Sequence, residues 1–366
     1  TSNTTPDMAP VVATNGSHAI AAWRSVYAGD AANPTDFSGK DTIVYRIYNG
    51  NNWSETKTLY NGVSGGVVGL GAAMTSDGTA TISYIIDTSQ ARDVNSYEVV
   101  YGVVTNTGEI VKNVRLTNDD TADQSPQLTV AEFDDEERFV LGWYKTDGEK
   151  SDIRLATFSN DGNPKEDFVD SLYAVSSTNN IGGNFKFVNT SEANQDFKNL
   201  SILWTERNAS TASDSLKAIK FMQETIDETK LTFTSAAVDV AEMPDKTVID
   251  SFDAYVSDAA KDEVKVIILG TESKDELETI IDTGEDGNTV EINVPKTESK
   301  MFTATEAYQN KVEITAADFS FTEIRSGFIL PIAFTVQNQG KELISSVTIE
   351  YGTEEDGIES KTFDNL

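Results

Sequence analysis

One acidic stretch of the chain has the residue types of a metal site. Asp282, Asp286 and Asn288 place carboxylate and amide oxygens around two glycines, and alternating oxygen ligands before a glycine turn are typical of calcium loops. The glutamate that closes such a loop at its twelfth position is replaced by Asn293, and Asp-Gly is also a common hairpin turn. We interpret the stretch as a hairpin, with Ca²⁺ at these three residues as the alternative, and we expect no other cofactor.

Nucleophilic and zinc chemistry have little support in the composition. His18 is the single histidine, it lies beside an Asn-Gly pair that predicts a turn, and the chain contains no cysteine. Serine or cysteine catalysis needs a histidine aligned with the nucleophile, and structural zinc sites are built from several His and Cys ligands. The sequence therefore predicts no catalytic residues of these kinds.

The charge of the chain limits its partners and its location. A net charge of −32 arises from 60 acidic and 28 basic residues, which disfavours nucleic acid and anionic membranes. The acidity suits the solubility of an extracellular protein, with calcium attraction or a salty habitat as alternatives. No apolar run approaches the roughly 18 residues of a membrane helix. Because cysteine is also absent, we expect a secreted or cell-surface bacterial protein, and because the chain starts at Thr1, a mature or excised piece.

A short apolar strand that ends in an aromatic residue recurs about every sixty residues. The aromatics are Trp23, Tyr84, Trp143 and Trp204, separated by 61, 59 and 61 residues. Residues 264–269 form a fifth copy, in which an aliphatic residue replaces the aromatic one. A small-residue strand precedes the aromatic strand across an Asn-Gly or Asp-Gly turn. Two further strands follow the aromatic strand, and a second turn, such as Asn49-Gly50, separates them. Self-similarity at a fixed period indicates a repeat architecture.

Four short antiparallel strands per repeat are typical of a β-propeller blade. Small residues suit a first strand that lines a crowded channel, and the four aromatics suit a second strand that packs between blades. We therefore predict an all-β fold with a β-propeller of about five four-stranded blades, in which Trp23, Tyr84, Trp143 and Trp204 are inter-blade core. The predicted propeller spans 1–308, with blades at 6–62, 66–120, 123–177, 181–243 and 246–308.

Paired carboxylates would make such a propeller a glycoside hydrolase. We expect them on the first strands at the channel mouth, but residues 11–13, 71–73 and 127–129 contain no acid. The arginines that would hold an acidic sugar are scarce. Residues 76–79 reproduce only part of the Ser-x-Asp-x-Gly-x-Thr-Trp box of sialidases. The sequence therefore predicts that the chain is not an enzyme.

The connections between the second and third predicted strands offer a candidate binding face. They are long in two blades and share one rim with the connections between blades. Aromatics beside Asp and Asn suit a sugar or a peptide equally, and a loop that only tolerates insertion is the alternative. The candidate binding residues are Tyr27, Asp30, Asp36, Phe37, Arg92 and Asp93.

The tail, residues 311–366, has a different pattern. Its apolar strand ends in Val336, Asn338 and Gly340, and the spacing Val-x-Asn-x-Gly resembles the start of a CARDB-type immunoglobulin-like domain. The resemblance covers about fifty residues, whereas an immunoglobulin-like domain needs about 100. We predict a partial immunoglobulin-like β-sandwich that is incomplete in this chain.

The blades resemble the extracellular propeller repeats of large Gram-positive surface proteins. The resemblance rests on Ala-Pro or Ser-Pro first strands, at Ala9 and Ser125, and on the Ala-Ala-Trp of the second strand. It implies surface display and binding. We therefore predict a non-catalytic adhesion module that recognises a glycan or a protein and is monomeric within a larger multidomain chain. The alternatives are a glycoside hydrolase-like propeller enzyme and a structural spacer in a surface stalk.

Overall fold

The described part of the protein consists of strands and one turn of 3-10 helix, Val94–Ser96. The strands are labelled β1 to β23 in chain order. The structure, a computed structural model, describes residues 6–26, 41–62, 67–89, 93–133, 136–147, 150–163, 180–189, 200–223, 231–233, 238–260, 263–283, 289–309, 312–318, 333–338, 346–353 and 357–364.

Two four-stranded antiparallel sheets begin the fold, and each is built from strands that are consecutive in the chain. We call them blade 1 and blade 2. Apolar side chains alternate along the strands because successive side chains point to opposite faces of a sheet. Blade 1 contains β1 (Asp7–Thr14), β2 (Ala19–Ser25), β3 (Thr42–Tyr48) and β4 (Lys57–Asn61), and blade 2 contains β5 (Val67–Met74), β6 (Ala80–Asp87), β7 (Tyr97–Val104) and β8 (Ile110–Arg115).

Three further antiparallel sheets follow, and they are less regular. In blade 4 both β15 and β16 pair with β14, and in blade 5 two strands of 21 residues form a long hairpin. Blade 3 contains β9 (Ala122–Phe133), β10 (Glu136–Asp147) and β11 (Lys150–Phe158). Blade 4 contains β12 (Asn180–Asn189), β13 (Leu200–Asn208), β14 (Ser213–Gln223), β15 (Leu231–Phe233) and β16 (Val238–Glu242). Blade 5 contains β17 (Thr247–Ala260), β18 (Glu263–Thr283) and β19 (Thr289–Gln309).

The hydrophobic core lies between consecutive sheets. Each of four buried clusters combines residues of two successive blades: blades 1 and 2, 2 and 3, 3 and 4, and 4 and 5. A sheet that buries both of its faces against neighbouring sheets is the structural unit of a propeller. The predicted fold class, an all-β propeller of four-stranded repeats, is therefore confirmed.

The aromatic residues of the second strands face the preceding blade. Tyr84, Trp143 and Trp204 lie in the clusters shared with the blade before them and are at most 1% exposed. Trp23 occupies the same position in blade 1, but the described residues supply no blade before it, and Trp23 is only partly buried. Val12 on β1, which pairs with Ala21 on β2, is 66% exposed.

A tyrosine on the third strand joins each of the first two blades to the next one. The Tyr45 hydroxyl donates to the Gly108 carbonyl at 3.0 Å, and the Tyr101 hydroxyl donates to the Gly162 carbonyl at 2.8 Å. Both glycines have positive φ, +80° and +69°, a backbone region that glycine adopts without steric cost. The same hydrogen bond thus recurs one repeat later.

The tail contributes two strand pairs. β20 (Val312–Asp318) pairs with β21 (Ala333–Asn338), and β22 (Ser346–Thr353) pairs with β23 (Gly357–Asp364), both antiparallel. Within the described residues the two pairs belong to separate sheets. The immunoglobulin-like module stays a prediction.

None of the described segments forms a helix long and apolar enough to cross a lipid bilayer.

Candidate active site

A cleft of about 580 Å³ opens at one rim of the propeller, between blades 2 and 3. It is bounded by the connection from β6 to β7 and by the connection from β8 to β9, which emerge on the same side because neighbouring strands run antiparallel. Its walls combine carboxylates with hydroxyl and amide groups. The lining residues are Thr88, Ser89, Asp93, Asn95, Ser96, Glu98, Asn118, Asp119 and Asp120.

Local hydrogen bonds fix the first wall of the cleft. Asp93 caps the 3-10 helix by accepting a hydrogen bond from the Asn95 backbone N–H at 3.1 Å. The Ser96 hydroxyl at the other end of the helix donates to Asp87 Oδ1 at 2.7 Å. Asp and Ser are suited to this task because their short side chains reach nearby backbone groups. The described residues of this connection are therefore held in place by polar contacts.

An acidic residue recurs at the start of the third strand of a blade, where it accepts a hydrogen bond from the backbone of the following connection or blade. Asp41 Oδ2 accepts from the Val67 N–H at 3.2 Å. Glu98 Oε1 accepts from the Asp119 N–H at 3.1 Å. Such a bond stabilises the joint between repeats, because an unpaired backbone N–H buried there would be costly. In blade 4, Asp214 Oδ2 accepts from the Ile249 N–H at 2.9 Å.

Glu98 differs from its counterparts because no arginine within the described residues forms an ion pair with it. Asp41 pairs with Arg24, and Asp214 pairs with Arg207 at 3.0 Å. Within the described residues Glu98 forms no ion pair, it is 3% exposed, and its buried Oε2 has no hydrogen-bond partner. Burial disfavours an unpaired carboxylate. It therefore raises the pKa of Glu98, and the Thr117 hydroxyl, the Asp119 N–H and the charge of Arg115 offset this only in part.

Asp119, on the opposite wall, is held in its ionised form. Its carboxylate forms an ion pair with Lys145 and accepts a hydrogen bond from the Thr121 hydroxyl. Partial burial alone would raise its pKa, but these interactions outweigh burial, and the pKa of Asp119 lies below its usual value. Two carboxyl groups that line one cleft thus have pKa values displaced in opposite directions.

A second buried carboxyl group, that of Asp123, does not line the cleft but lies near Lys145, the ion-pair partner of Asp119. Asp123 on β9 is fully buried, and burial raises its pKa to about 6. Its Oδ1 accepts a hydrogen bond from Trp143 Nε1 at 3.0 Å and lies 4.0 Å from Lys145 Nζ. Lys145 therefore stands between Asp123 and Asp119, which places its charge against both carboxyl groups.

The pair formed by Glu98 and Asp119 is suited to general acid–base chemistry. A carboxyl group with a raised pKa retains a proton that it can donate, and a carboxylate with a lowered pKa remains available as a base or nucleophile. The two groups are linked directly, because the Asp119 backbone N–H donates to Glu98. Among the described residues, no three His, Cys, Asp or Glu side chains are grouped so as to hold a metal ion.

The structure places the residues that the sequence singled out as follows. Asp93 borders the cleft and caps its helix. Asp282 lies on β18, where it pairs with Val290 on β19. The other predicted binding and calcium residues lie outside the described part of the chain: Tyr27, Asp30, Asp36, Phe37, Arg92, Asp286 and Asn288.

Sequence reasoning missed Glu98 and Asp119 because it sought paired acids only on the first strands, whereas these two lie at the start of β7 and in the connection after β8. It missed Asp123 because it considered only residues 127–129 of a first strand that begins at Ala122 in the structure. The sequence contains one indication that Glu98 lacks the ion-pair partner that Asp41 has. Arg24 lies near the end of β2 in blade 1, whereas β6 of blade 2 ends in Asp87 and offers no cation.

The comparisons with known proteins concern the fold more than the family. No family model matches the chain. No curated protein matches it either.

Solved structures do match, at low identity. One is an N-acetylgalactosamine deacetylase from F. plautii, with 11% identity, a TM-score of 0.38, and coverage of 82% of this chain and 90% of that one. A sialidase from Trypanosoma rangeli has 10% identity and a TM-score of 0.38, and the match covers 82% of this chain and 54% of the sialidase. A GH93 α-L-arabinofuranosidase from Fusarium graminearum has 10% identity, a TM-score of 0.37, and coverage of 81% and 92%.

These neighbours correct the functional prediction made from sequence. By their names they are enzymes that act on carbohydrate, which contradicts both the predicted non-catalytic adhesion module and the prediction that the chain is not an enzyme. At these identities the likeness concerns the fold alone.

Proposed function

We propose that this chain is a glycoside-cleaving enzyme whose active site is the cleft between blades 2 and 3. Glu98 is the proton donor and Asp119 is the ionised partner. One observation carries the proposal: two carboxyl groups that border the same cleft have pKa values shifted apart, upward at Glu98 by burial and downward at Asp119 by Lys145 and Thr121.

The reaction follows from these two protonation states. Glu98 donates its proton to the glycosidic oxygen as the bond from that oxygen to the anomeric carbon breaks and its electron pair moves to the oxygen. The positive charge that develops on the sugar ring is stabilised by the Asp119 carboxylate. In one route Asp119 then accepts a proton from the water that attacks the anomeric carbon. In the other, Asp119 bonds to that carbon itself, and Glu98, now a carboxylate, accepts the proton of the water that breaks this bond.

The rest of the lining supplies the hydrogen-bonding groups that sugar hydroxyls require. Ser89, Asn95 and Asn118 add hydroxyl and amide groups that both donate and accept hydrogen bonds. The cleft volume of about 580 Å³ lies in the range of roughly 300–1,000 Å³ that is usual for small-molecule sites. The cleft therefore accommodates a small number of sugar residues.

The test is a reducing-end assay of the purified chain against a panel of polysaccharides. Glu98→Gln keeps the size and the hydrogen-bond acceptor but removes the proton donor, so we expect a loss of at least about 100-fold in kcat. Asp119→Asn is expected to lose activity similarly. Asp152→Asn is the matched control, because burial also raises the pKa of Asp152 to about 6, but that residue lies on β11 and does not line the cleft.

Two results would contradict the proposal. The first is an absence of hydrolysis across the neutral, acidic and amino polysaccharides of the panel. The second is hydrolysis that Glu98→Gln leaves unchanged in a protein whose circular dichroism matches that of the unmodified chain.

We infer an extracellular bacterial setting for this enzyme. The net charge of −32 suits a soluble exported surface, and the resemblance of residues 311–366 to a CARDB-type immunoglobulin-like domain suits a multidomain surface protein. External protease applied to intact source cells would cleave a chain displayed in this way. Complete resistance on intact cells, followed by cleavage after lysis, would contradict this location.

A further inference from the structure

We propose that the tail strands β20–β23 pack as a further sheet on the uncovered face of blade 5. We call this surface the terminal face. Its exposed apolar side chains are those of Tyr255, Ile267, Leu269 and Met301. The proposal does not depend on the proposed function, because none of these residues lines the cleft between blades 2 and 3.

The four side chains share one face of the sheet. Tyr255 on β17 pairs directly with Ile267 on β18, and Leu269 follows two positions later on the same face. Met301 on β19 pairs with Thr271, the next residue of β18 on that face. Side chains two positions apart, and those directly opposite on a neighbouring strand, point to the same side of a sheet.

The second strand of a blade is normally covered on both sides. Every residue is buried from Ala80 to Ile85 on β6 and from Leu200 to Glu206 on β13. A strand buried on both faces reads as a continuous apolar run, and residues 266–269 of β18 read Val-Ile-Ile-Leu. Ile267 and Leu269 are nevertheless 43% and 47% exposed. The sequence of β18 therefore suits two covering sheets, of which the described fold supplies one.

In the earlier blades the next sheet covers the corresponding side chains. Ile85, Val140 and Leu203 lie on the second strands of blades 2, 3 and 4, and each is fully buried in the cluster shared with the following blade. Among the described residues no such cluster follows blade 5. A contiguous exposed apolar surface of this kind marks an interaction site.

The tail needs an apolar surface to pack against. Its strands form two separate antiparallel pairs within the described residues, β20 with β21 and β22 with β23. A two-stranded pair is at best marginally stable in water unless a third strand or another element packs on it. The terminal face supplies that surface, and packing of one sheet on another is compatible with an immunoglobulin-like arrangement of the tail strands.

Chain order favours the tail over a second copy of the protein as the covering sheet. Blades 1 to 5 pack in the order in which they occur in the chain, and β20 begins at Val312, directly after β19 ends at Gln309. A tethered segment has an effective concentration of roughly millimolar. A second copy must instead overcome the loss of translational and rotational freedom on association.

The test uses single cysteines, which the chain otherwise lacks. Leu269→Cys lies on the terminal face, and Val111→Cys on β8 is the matched control, because the native side chains are 47% and 45% exposed. We expect the thiol of Leu269→Cys to react with a maleimide at least about 10-fold more slowly in the full chain, since only transient opening of the covered face exposes it.

Removal of residues 310–366 identifies the covering segment. In the shortened chain we expect the thiol of Leu269→Cys to react as fast as that of Val111→Cys. A second comparison keeps the full chain, in case the shortened one does not fold. Tyr255→Lys with Met301→Lys puts two charges on the terminal face and is expected to release the tail, because burial of unpaired charges is costly. Met8→Lys with Val12→Lys, at exposed positions of blade 1, is the control and should leave the terminal face protected.

Three results would overturn the proposal. The first is equal reactivity of Leu269→Cys and Val111→Cys in the full chain. The second is protection of Leu269→Cys that persists without residues 310–366 or with both lysines on the terminal face. The third is protection that disappears on dilution together with a dimer mass in light scattering, which would assign the terminal face to a second copy of the chain.

Discussion

Trp143 donates its indole N–H to Asp123 Oδ1 at 3.0 Å, in a position where both side chains are almost wholly buried. The bond joins β9 and β10 within blade 3. It connects the aromatic core between blades 2 and 3 to the charged groups behind the cleft, because Asp123 also faces Lys145, the partner of Asp119. Core packing and the electrostatics of the cleft are therefore coupled through one residue.

Asp123 makes the stability of the fold depend on pH. Its pKa is raised by burial to about 6, so the folded state holds this proton more tightly than the unfolded state. Stability from this group is fully present below the unfolded pKa of about 3.9 and is lost as pH rises through about 6. Asp123→Asn is neutral throughout and keeps an oxygen for Trp143. Between pH 4 and pH 7 we expect the variant to gain up to about 3 kcal/mol in unfolding free energy relative to the unmodified chain.

Urea denaturation at several pH values measures this difference. Asp253→Asn is the control, because its carboxyl side chain is 83% exposed and its removal is expected to leave the pH profile unchanged. A constant difference between Asp123→Asn and the unmodified chain from pH 4 to pH 7 would show that Asp123 titrates alike in the folded and unfolded states.

The sequence predicted the repeat but not the cleft, and the reason differs for each. The four aromatics at near-equal spacing reveal the blades because every copy must fill the same gap beside the preceding sheet, as Tyr84, Trp143 and Trp204 do. Glu98 and Asp119 carry no such periodic signal, since they are two of 60 acidic residues. Their importance depends on how deeply each carboxyl group is buried and on whether a cation forms an ion pair with it. Only the folded structure shows these two properties.

The strands of the last blades also differ from those that the sequence pattern predicts. Four short strands were expected in the fifth repeat, whereas β18 and β19 form one hairpin of 21-residue strands within the described residues. Residues 296–300 alternate Lys, Glu and Lys with other residues, and such polar alternation is compatible with an exposed strand or with a connection. In the structure residues 296–300 belong to a strand, because β18 and β19 pair along their whole length, from Glu263 with Gln309 to Thr283 with Thr289.

Replacement of Asp41 by an amide is expected to destabilise the fold far more than the same replacement of Glu98, although both residues lie at the start of a third strand. Asp41→Asn removes the charge that balances Arg24 at a buried site and should cost about 2–4 kcal/mol of unfolding free energy. Glu98→Gln removes a carboxylate that burial already disfavours, and its amide oxygen still serves the Asp119 N–H. We expect it to change stability by less than about 1 kcal/mol at pH 7. Thermal unfolding compares the two, and an equal loss would mean that Glu98 is a structural residue like Asp41.

Lys145 is expected to set the acid limb of the pH–rate profile. It holds the pKa of Asp119 below its usual value, so activity should persist to low pH and fall only when Asp119 becomes protonated. In Lys145→Met the pKa of Asp119 rises, and the acid limb of kcat/KM moves to higher pH. The alkaline limb, which reports loss of the Glu98 proton, should stay nearly in place. A uniform loss of activity without any shift of the acid limb would assign Lys145 a purely structural role.

Two of the four tryptophans are expected to be accessible to a quencher. Trp143 and Trp204 are buried between blades, whereas Trp53 is 46% exposed and Trp23 is partly buried. Acrylamide should therefore quench about half of the emission of the unmodified chain, because two of its four tryptophan side chains are accessible to solvent. Trp53→Phe should reduce the accessible fraction, and Trp53→Phe with Trp23→Phe should nearly abolish it. Persistent strong quenching in the double variant would contradict the burial of Trp143 and Trp204.

Tyr101 tests how strongly one blade is joined to the next. Its hydroxyl donates to the Gly162 carbonyl of the following repeat at 2.8 Å, and burial raises its pKa to about 12. Tyr101→Phe leaves that carbonyl without its donor at a buried site, at an expected cost of about 1–3 kcal/mol. Tyr48→Phe is the matched control, since the Tyr48 hydroxyl donates at 2.9 Å to Gly50 within its own blade at an exposed site, and should cost less than about 0.5 kcal/mol. Equal losses in urea denaturation would mean that the hydrogen bond between blades contributes no more than an exposed one.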